Sequence, residues 1–307
     1  MKKVLIFGVG GFVGDYLSRA FIDKNYEVYG TDIVKGELLS EKVIFSTSDI
    51  TNKNEVSELI EKVMPDYIIN LAAISSVGLS WKIPQKTLEI NTFGTLNIIE
   101  AAREKCPGVK LLLIGSSEEY LPSDKPISEE YEINSNNPYG MSKMMQENLA
   151  QMYVENYGMN IVCVRSFNHT GVGQKESFVL PSFCKQAAEI NKTGKDGTIY
   201  VGNLSAERDF SDVRDIVRAY VMLVESNITN GIYNVGSGDS HTIQEMLDYI
   251  CSLADVKINV QTDPERYRPV DTPYICCDHS KITKELGWRP EYTVFDAIKK
   301  MYDHFLK

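Results

Sequence analysis

The sequence predicts an α/β fold, a Rossmann-type doubly wound parallel sheet with a smaller C-terminal substrate-binding lobe. Three observations predict it. Short runs rich in Val, Ile and Leu alternate with amphipathic segments through the first half of the chain. A glycine-rich turn separates the first such run from the first helix-like segment. The runs are almost continuously apolar, as strands covered on both faces must be.

In order, "KKVLIFG" reads as the first strand and stops at glycines before a helix over 12–24. "YEVYGTD" and "VIFSTSD" read as the next two strands, ending in Asp32 and Asp49. A helix over 53–63 leads into the strand "DYIINLAA", and one over 84–105 leads into "VKLLLIGSS". A helix over 139–157 precedes "NIVCVRSFN". Strands alternating with helices imply right-handed crossovers in a parallel sheet. Further on, a helix over 212–226 precedes a strand at "GIYNVG", with helices over 242–254 and 293–306. Segments 168–181, 202–211 and 261–275 are rich in Gly, Pro, Asn, Asp and Arg and read as binding loops. The expected division is a nucleotide-binding domain over 1–166 plus about 211–235. A second lobe comes from about 167–210 and 236–307.

The composition, 43% hydrophobic and 24% charged in 307 residues, is that of a soluble globular protein. A net charge of -10 argues against broad nucleic-acid or anionic-membrane binding. No apolar run approaches the roughly 20 residues that span a bilayer. The opening "MKKVLIFGVGG" is too short and too glycine-broken for a signal peptide. The six cysteines lack C-x-x-C spacing and read as reduced thiols of a cytoplasmic protein, with Cys276 and Cys277 on opposite faces of a strand. The four histidines lack metal-ligand spacing, so no metal is expected.

"LIFGVGGFVG" sets Gly8, Gly11 and Gly14 three apart, with Gly10 extra, between a strand and a helix. Glycines there permit a tight turn and close backbone approach, and the helix N-terminus favours a pyrophosphate. Phe12 and Val13 open that helix. Asp32 lies where an acid accepts hydrogen bonds from an adenosine 2'-hydroxyl, which favours NAD over NADP. Asp49 is placed to meet the adenine amine beside Ile50, or else simply closes a strand before a turn. "NLAA" supplies Leu71, Ala72 and Ala73, small enough for a cofactor to cross the sheet edge.

"IGSSEEY" puts Ser116 and Ser117 at a strand's carboxyl end, where ligands of open α/β sheets bind. In "NPYGMSKMMQE", Tyr139 and Lys143 stand at i and i+4 on one helical face. Ketone reduction needs hydride and a proton for the developing alkoxide. A Lys cation stabilises phenolate and should draw the Tyr pKa towards neutrality, and a Ser hydroxyl polarises the carbonyl.

With these motifs in order, the chain resembles the extended short-chain dehydrogenase/reductases. The resemblance runs from Gly8/Gly11/Gly14 through Asp32, Asp49, "NLAA", Asn91, Ser116 and Tyr139/Lys143 to "RSFNHTG", "GNLSAERDFSDVRD" and "RYRPVDTP". It implies NADH or NADPH as cofactor, held by the glycine turn, Asp32, Asp49, Tyr139 and Lys143, and Ser116, Tyr139 and Lys143 as catalytic residues. The details look most like the branch that reduces the C4 ketone of GDP-4-keto-6-deoxy-D-mannose to GDP-D-rhamnose. That likeness places Ser116, Ser117 and Asn168 at the substrate, Val179 at guanine, Arg208 and Arg268 on the GDP phosphates and Asp271 on its ribose. A guanidinium fork suits a pyrophosphate, although Arg208 could instead pair with Asp209 or Asp212. Glu118, two residues after Ser116, occupies the position of the base in related 4,6-dehydratases. A GDP-mannose 4,6-dehydratase, or another nucleotide-sugar epimerase or dehydratase, is therefore the alternative. The resemblance also implies a homodimer through helices 84–105 and 139–157.

Overall fold

The structure is a computed structural model, and it describes residues 1–263 and 272–307. Arg268 and Asp271 therefore lie outside the described residues. The chain runs β1 (Lys3–Phe7), α1 (Phe12–Asp23), β2 (Glu27–Asp32), β3 (Ile44–Thr47), α2 (Lys53–Val63), β4 (Tyr67–Asn70), α3 (Val77–Lys82) and α4 (Pro84–Leu88). It continues through α5 (Thr95–Lys105), β5 (Lys110–Ser116), α6 (Pro138–Tyr157) and β6 (Asn160–Ser166). The second half holds β7 (Asn168–Thr170), α7 (Val179–Thr193), β8 (Gly197–Val201), β9 (Glu207–Asp212), α8 (Val213–Glu225), β10 (Asn230–Val235) and β11 (Ser240–Thr242). It ends with α9 (Ile243–Ser252), β12 (Ile258–Thr262), β13 (Tyr274–Ile275), α10 (Ser280–Leu286) and α11 (Val294–Leu306).

Seven parallel strands form the main sheet in the order β10-β6-β5-β4-β1-β2-β3. The chain winds outward from β1 in one direction, then returns and winds out in the other. The carboxyl ends of β1 and β4 thus flank a topological switch point. Two apolar layers cover the sheet. One packs Val4, Ile6, Leu17 and Phe21 with Ile216 and Tyr220 of α8. The other packs Leu5, Phe7, Val56 and Ile60 with Ile98, Ile99 and Tyr153. This double covering is why β1 reads as an unbroken apolar run. A third core joins α7, α9 and α11 through Leu180, Phe183, Met246, Leu247, Ile298 and Met301.

Several expectations need correction. The helix expected over 84–105 is interrupted by a π-helical turn at Glu89–Gly94 between α4 and α5. Such turns recur at functional sites, and this one carries Asn91. Residues 168–181 and 202–211 are not plain loops: β7 and β9 pair with each other, and β11 and β13 flank β9. Helix α7 escapes the sequence pattern because Pro181 looks like a breaker. It sits in the first turn, where its missing N–H has no helical partner to lose. Cys276 and Cys277 follow the two-residue β13, and both are buried. Among the described residues, no helix is long and apolar enough to cross a membrane.

Candidate active site

The turn after β1 is shaped by backbone crowding. Gly8 has φ +79°, and a Cβ on it would lie 2.5 Å from the Ala72 nitrogen. A Cβ on Gly14 would sit 2.4 Å from the Val9 carbonyl oxygen, so only glycine lets α1 start this close to β1. Gly11 differs. Its Cβ would meet the Gly8 oxygen at 3.4 Å, an ordinary contact, so packing does not demand glycine there.

Asp32 ends β2 with Oδ2 accepting from Gly10 N at 3.1 Å and Oδ1 from Ile33 N at 2.7 Å. It is thereby fixed beside the glycine turn. Gly36 belongs to no motif in the sequence. A Cβ on it would come within 2.5 Å of the Gly10 oxygen, so the loop after β2 folds directly onto the glycine turn. A cavity of about 200 Å³ lies here, lined by Gly10, Gly11, Phe12, Tyr16, Leu38 and Val172 among others. Val13 packs against the adjacent core.

Asp49 has a local task. Its Oδ1 accepts from the Thr51 amide at 2.9 Å and the Thr51 hydroxyl at 2.8 Å, and the amide bond holds its carboxyl below the usual range. Ile50 is buried against Gly94 of the π-helical turn. Leu71 N donates to Phe7 O at 2.9 Å, which keeps "NLAA" against the end of β1. Ala72 N donates to Asn70 Oδ1 at 3.1 Å, and Ala73 follows, partly exposed.

Ser116 closes β5 and caps a single 3-10 turn, Ser117–Glu119. Its hydroxyl oxygen accepts from Glu118 N at 3.2 Å, which leaves the hydroxyl proton to donate. Ser117 is buried. Helix α6 opens with Asn137 as N-cap, accepting from Gly140 N at 2.9 Å, and Pro138 at its first position. This start sets Tyr139 in the first turn. The ring lies beside Ser116, whose hydroxyl favours phenolate, but burial outweighs this and Glu118 and Glu119 reinforce it. The net direction is upward, against the fall expected from Lys143. Lys143 is buried, and burial pulls its pKa down to about 8. Its ammonium donates to Ile114 O at 2.7 Å and to Gln146 Oε1 at 3.3 Å.

A polar web unread in the sequence braces this set. Asn91 Oδ1 accepts from Ile74 N at 2.8 Å, and its Nδ2 donates to Ser142 Oγ at 2.9 Å. The π-helical turn is thereby stitched to α6, one residue from Lys143. Asn91 was part of the resemblance, but its bonding partners lie 17 and 51 residues away and no local pattern marks them.

Asn168 begins β7, opposite Phe210 of β9. Val179 begins α7 and packs on the third core. Arg208 is a β9 residue whose Nη1 donates to Glu207 O at 2.9 Å. Its two suggested partners are engaged elsewhere: Asp212 pairs with Arg214 at 2.6 Å, and Asp209 accepts from Ser237, Gly238 and Cys277.

The glycine turn at a switch point of a parallel sheet, with Ser116 at the end of β5 and Tyr139 and Lys143 on α6, defines a Rossmann-type α/β protein of the dinucleotide-binding class. The chain matches the family described as GDP-mannose 4,6 dehydratase over residues 5–301, and it belongs to that family. It is 29% identical to a GDP-6-deoxy-D-mannose reductase of Pseudomonas aeruginosa, over 97% of this chain and 95% of the relative. It is 27% identical to a GDP-mannose 4,6-dehydratase of Vibrio cholerae, over 100% of this chain and 94% of the relative. Two solved structures have the same fold. RMD from P. aeruginosa, complexed with NADPH, superposes with a TM-score of 0.85 at 26% identity, covering 100% of this chain and 99% of that one. The UDP-glucose 4-epimerase of Brucella ovis, in complex with NAD, gives 0.90 at 26% identity with the same coverage.

Proposed function

We propose that the protein is an NAD(P)H-dependent reductase that converts the C4 ketone of GDP-4-keto-6-deoxy-D-mannose to the alcohol of GDP-D-rhamnose. The observation that carries this is that Ser116, Tyr139 and Lys143 are held together at the end of β5, in the same parallel sheet whose β1 ends in a turn where Gly8 and Gly14 admit no Cβ. The likeness to a GDP-6-deoxy-D-mannose reductase supports the substrate.

The glycine turn, Asp32 and the "NLAA" edge fit a dinucleotide, which when bound supplies hydride. Ser116 turns its hydroxyl proton from Tyr139 to the carbonyl oxygen and polarises it. Tyr139, whose proton is held firmly, gives that proton to the oxygen as it becomes an alkoxide. Lys143 sets the electrostatics under the phenolate that remains. Asn168, Val179 and Arg208 come from β7, α7 and β9, outside the seven-stranded sheet, and on this reading they carry the nucleotide. Arg208, with Arg268 and Asp271, would hold the GDP moiety.

One observation favours a second reading. Glu118 Oε2 accepts from Asn137 Nδ2 at 2.9 Å, so a carboxylate is held next to Ser116 at the head of α6. A carboxylate there suits C5 proton removal in a 4,6-dehydratase. Incubation with GDP-mannose, and separately with the 4-keto sugar plus NADH or NADPH, decides. Turnover of GDP-mannose without consumption of reduced cofactor would replace the reductase reading.

The protein is further proposed to be a cytoplasmic homodimer. Phe93 next to α5, and Met141, Met145 and Met152 on one face of α6, are exposed and supply apolar surface suited to a two-fold contact. Sedimentation equilibrium tests it, and a monomer at micromolar concentration would refute it.

A further inference from the structure

The two glutamates after Ser117 behave differently. Glu118 is partly exposed and held by Asn137. Glu119 is wholly buried, with Oε1 accepting from Ser116 N at 2.7 Å. Gly115 makes room for it, since a Cβ there would lie 2.4 Å from Glu119 Oε1. Its other oxygen, Oε2, is buried with no hydrogen-bond partner. The nearest cation to Oε2 is Arg165 Nε at 4.0 Å, and that guanidinium is already forked onto Glu147 at 2.5 and 2.9 Å. A carboxyl buried in this way is costly, and a Leu would fill the volume without the penalty.

We propose that Glu119 is a positioning residue for the Ser116, Tyr139 and Lys143 set, anchoring the Ser116 backbone and acting electrostatically on Lys143 and Tyr139. The inference rests on the reading of that set as the reducing machinery. The groups that face Glu119 are Tyr139, Lys143 and Glu147 from α6, Cys163 and Arg165 from β6, and Glu118 and Tyr120 beside it in the chain. Burial and Glu147 push its carboxyl well above the usual range, while the Ser116 amide, Arg165 and Lys143 pull it back. As an anion it strengthens the hold of both Lys143 and Tyr139 on their protons. Deprotonation of Glu119 as pH rises therefore keeps the donor Tyr139 protonated further into the alkaline range.

The test compares Glu119→Gln with Glu119→Leu in the full-length protein, with cofactor binding as the check on folding. Gln keeps an acceptor for Ser116 N but not the charge, and Leu keeps neither. In 4-keto-sugar reduction, Glu119→Gln is expected to keep its maximal kcat within about threefold. Its alkaline limb should move to lower pH by about half a unit. Glu119→Leu should lose kcat about tenfold with KM nearly unchanged. Wild-type pH profiles in both variants overturn the proposal, as does a Gln variant as slow as the Leu variant with no shift of its limb. If the wild type reduces no keto sugar, the reductase reading fails, and infrared titration still decides on Glu119. A protonated-carboxyl band that persists above the ordinary Glu range and vanishes in Glu119→Gln supports the unusual carboxyl, and its absence overturns it.

Discussion

The Lys143 ammonium donates to the carbonyl oxygen of Ile114 at 2.7 Å, which ties the helix of Tyr139 to the strand that ends in Ser116. Gln146 Nε2 reaches the same oxygen at 3.2 Å. The bond fixes the spacing between donor helix and polarising serine, and it draws a cation into a protein interior to do so.

That burial has a thermodynamic consequence. Lys143 has its pKa lowered from 10.5 to about 8. Between those values the unfolded chain binds a proton that the folded one does not, so stability rises with pH across that window. Below about 8 the penalty is present in full. Lys143→Met should therefore abolish turnover yet raise stability at pH 7, by on the order of 2 kcal/mol. Gln146 remains to satisfy Ile114. Urea unfolding of both proteins at pH 7 and pH 10 checks this, with the gap expected to narrow at the higher pH.

Tyr139 gives a second expectation. Burial and the neighbouring glutamates hold its pKa above the ordinary tyrosine value of 10.0. The free protein should show no tyrosinate absorbance from Tyr139 at pH 9, measured as the difference between wild type and Tyr139→Phe. The same variant should bind cofactor normally and lose turnover by about a thousandfold. A phenolate signal near neutrality would restore the simpler picture in which Lys143 alone sets the acid.

The glycines separate folding from binding. Gly14→Ala drives a methyl to 2.4 Å from the Val9 carbonyl oxygen, and backbone cannot swing aside as a side chain can. It should destabilise the fold by about 2 kcal/mol or more. Gly11→Ala meets only a 3.4 Å contact, so the fold should survive with its melting temperature nearly unchanged. Its loss should appear in dinucleotide affinity, by about tenfold, because the methyl enters the space a pyrophosphate approaches. Thermal melts with NADH and NADPH titrations distinguish the two.

How far the sequence revealed this arrangement depends on how local each cause is. The central strands β1, β4, β5 and β6 are legible because double-sided burial makes them continuously apolar. The helix over 53–63 matches α2 in full, since Asn52 caps its start and the chain turns left-handed at Met64. Gly8, Gly14, Asp32, Ser116 and Tyr139 were legible because strand ends and turns constrain residue type nearby in the chain. The π-helical turn was not, since the bonds that pin it, from Asn91 to Ile74 and Ser142, run across the fold. Strand β9 looks like a loop in the sequence because its polar residues face partners from elsewhere. Asp209 is buried there by amides of Ser237, Gly238 and Cys277. The direction of the Tyr139 shift is the reverse of the sequence expectation because charge spacing is visible in a sequence and desolvation is not.

Arg165 supplies the last prediction. Buried in β6, it forks onto Glu147 of α6 and donates to the Tyr120 hydroxyl at 2.8 Å. Its plane also lies over the Tyr120 ring, 4.7 Å from the centroid. One guanidinium thus joins β6, α6 and the segment after Ser116, close to two buried carboxyls, Glu147 and Glu119. Arg165→Met removes the cation and leaves both carboxyls in an apolar setting. Breaking a buried pair from one side typically costs about 3–5 kcal/mol, while replacing both partners with apolar groups is far milder. Arg165→Met should therefore be severely destabilised, and the double variant Arg165→Met/Glu147→Leu should regain most of the loss. The single variant should also recover partly as pH falls and its carboxyls take up protons. Chemical denaturation of the three proteins at pH 5 and pH 8 measures both effects, and equal stability of single and double variants would exclude a stranded carboxylate as the cause.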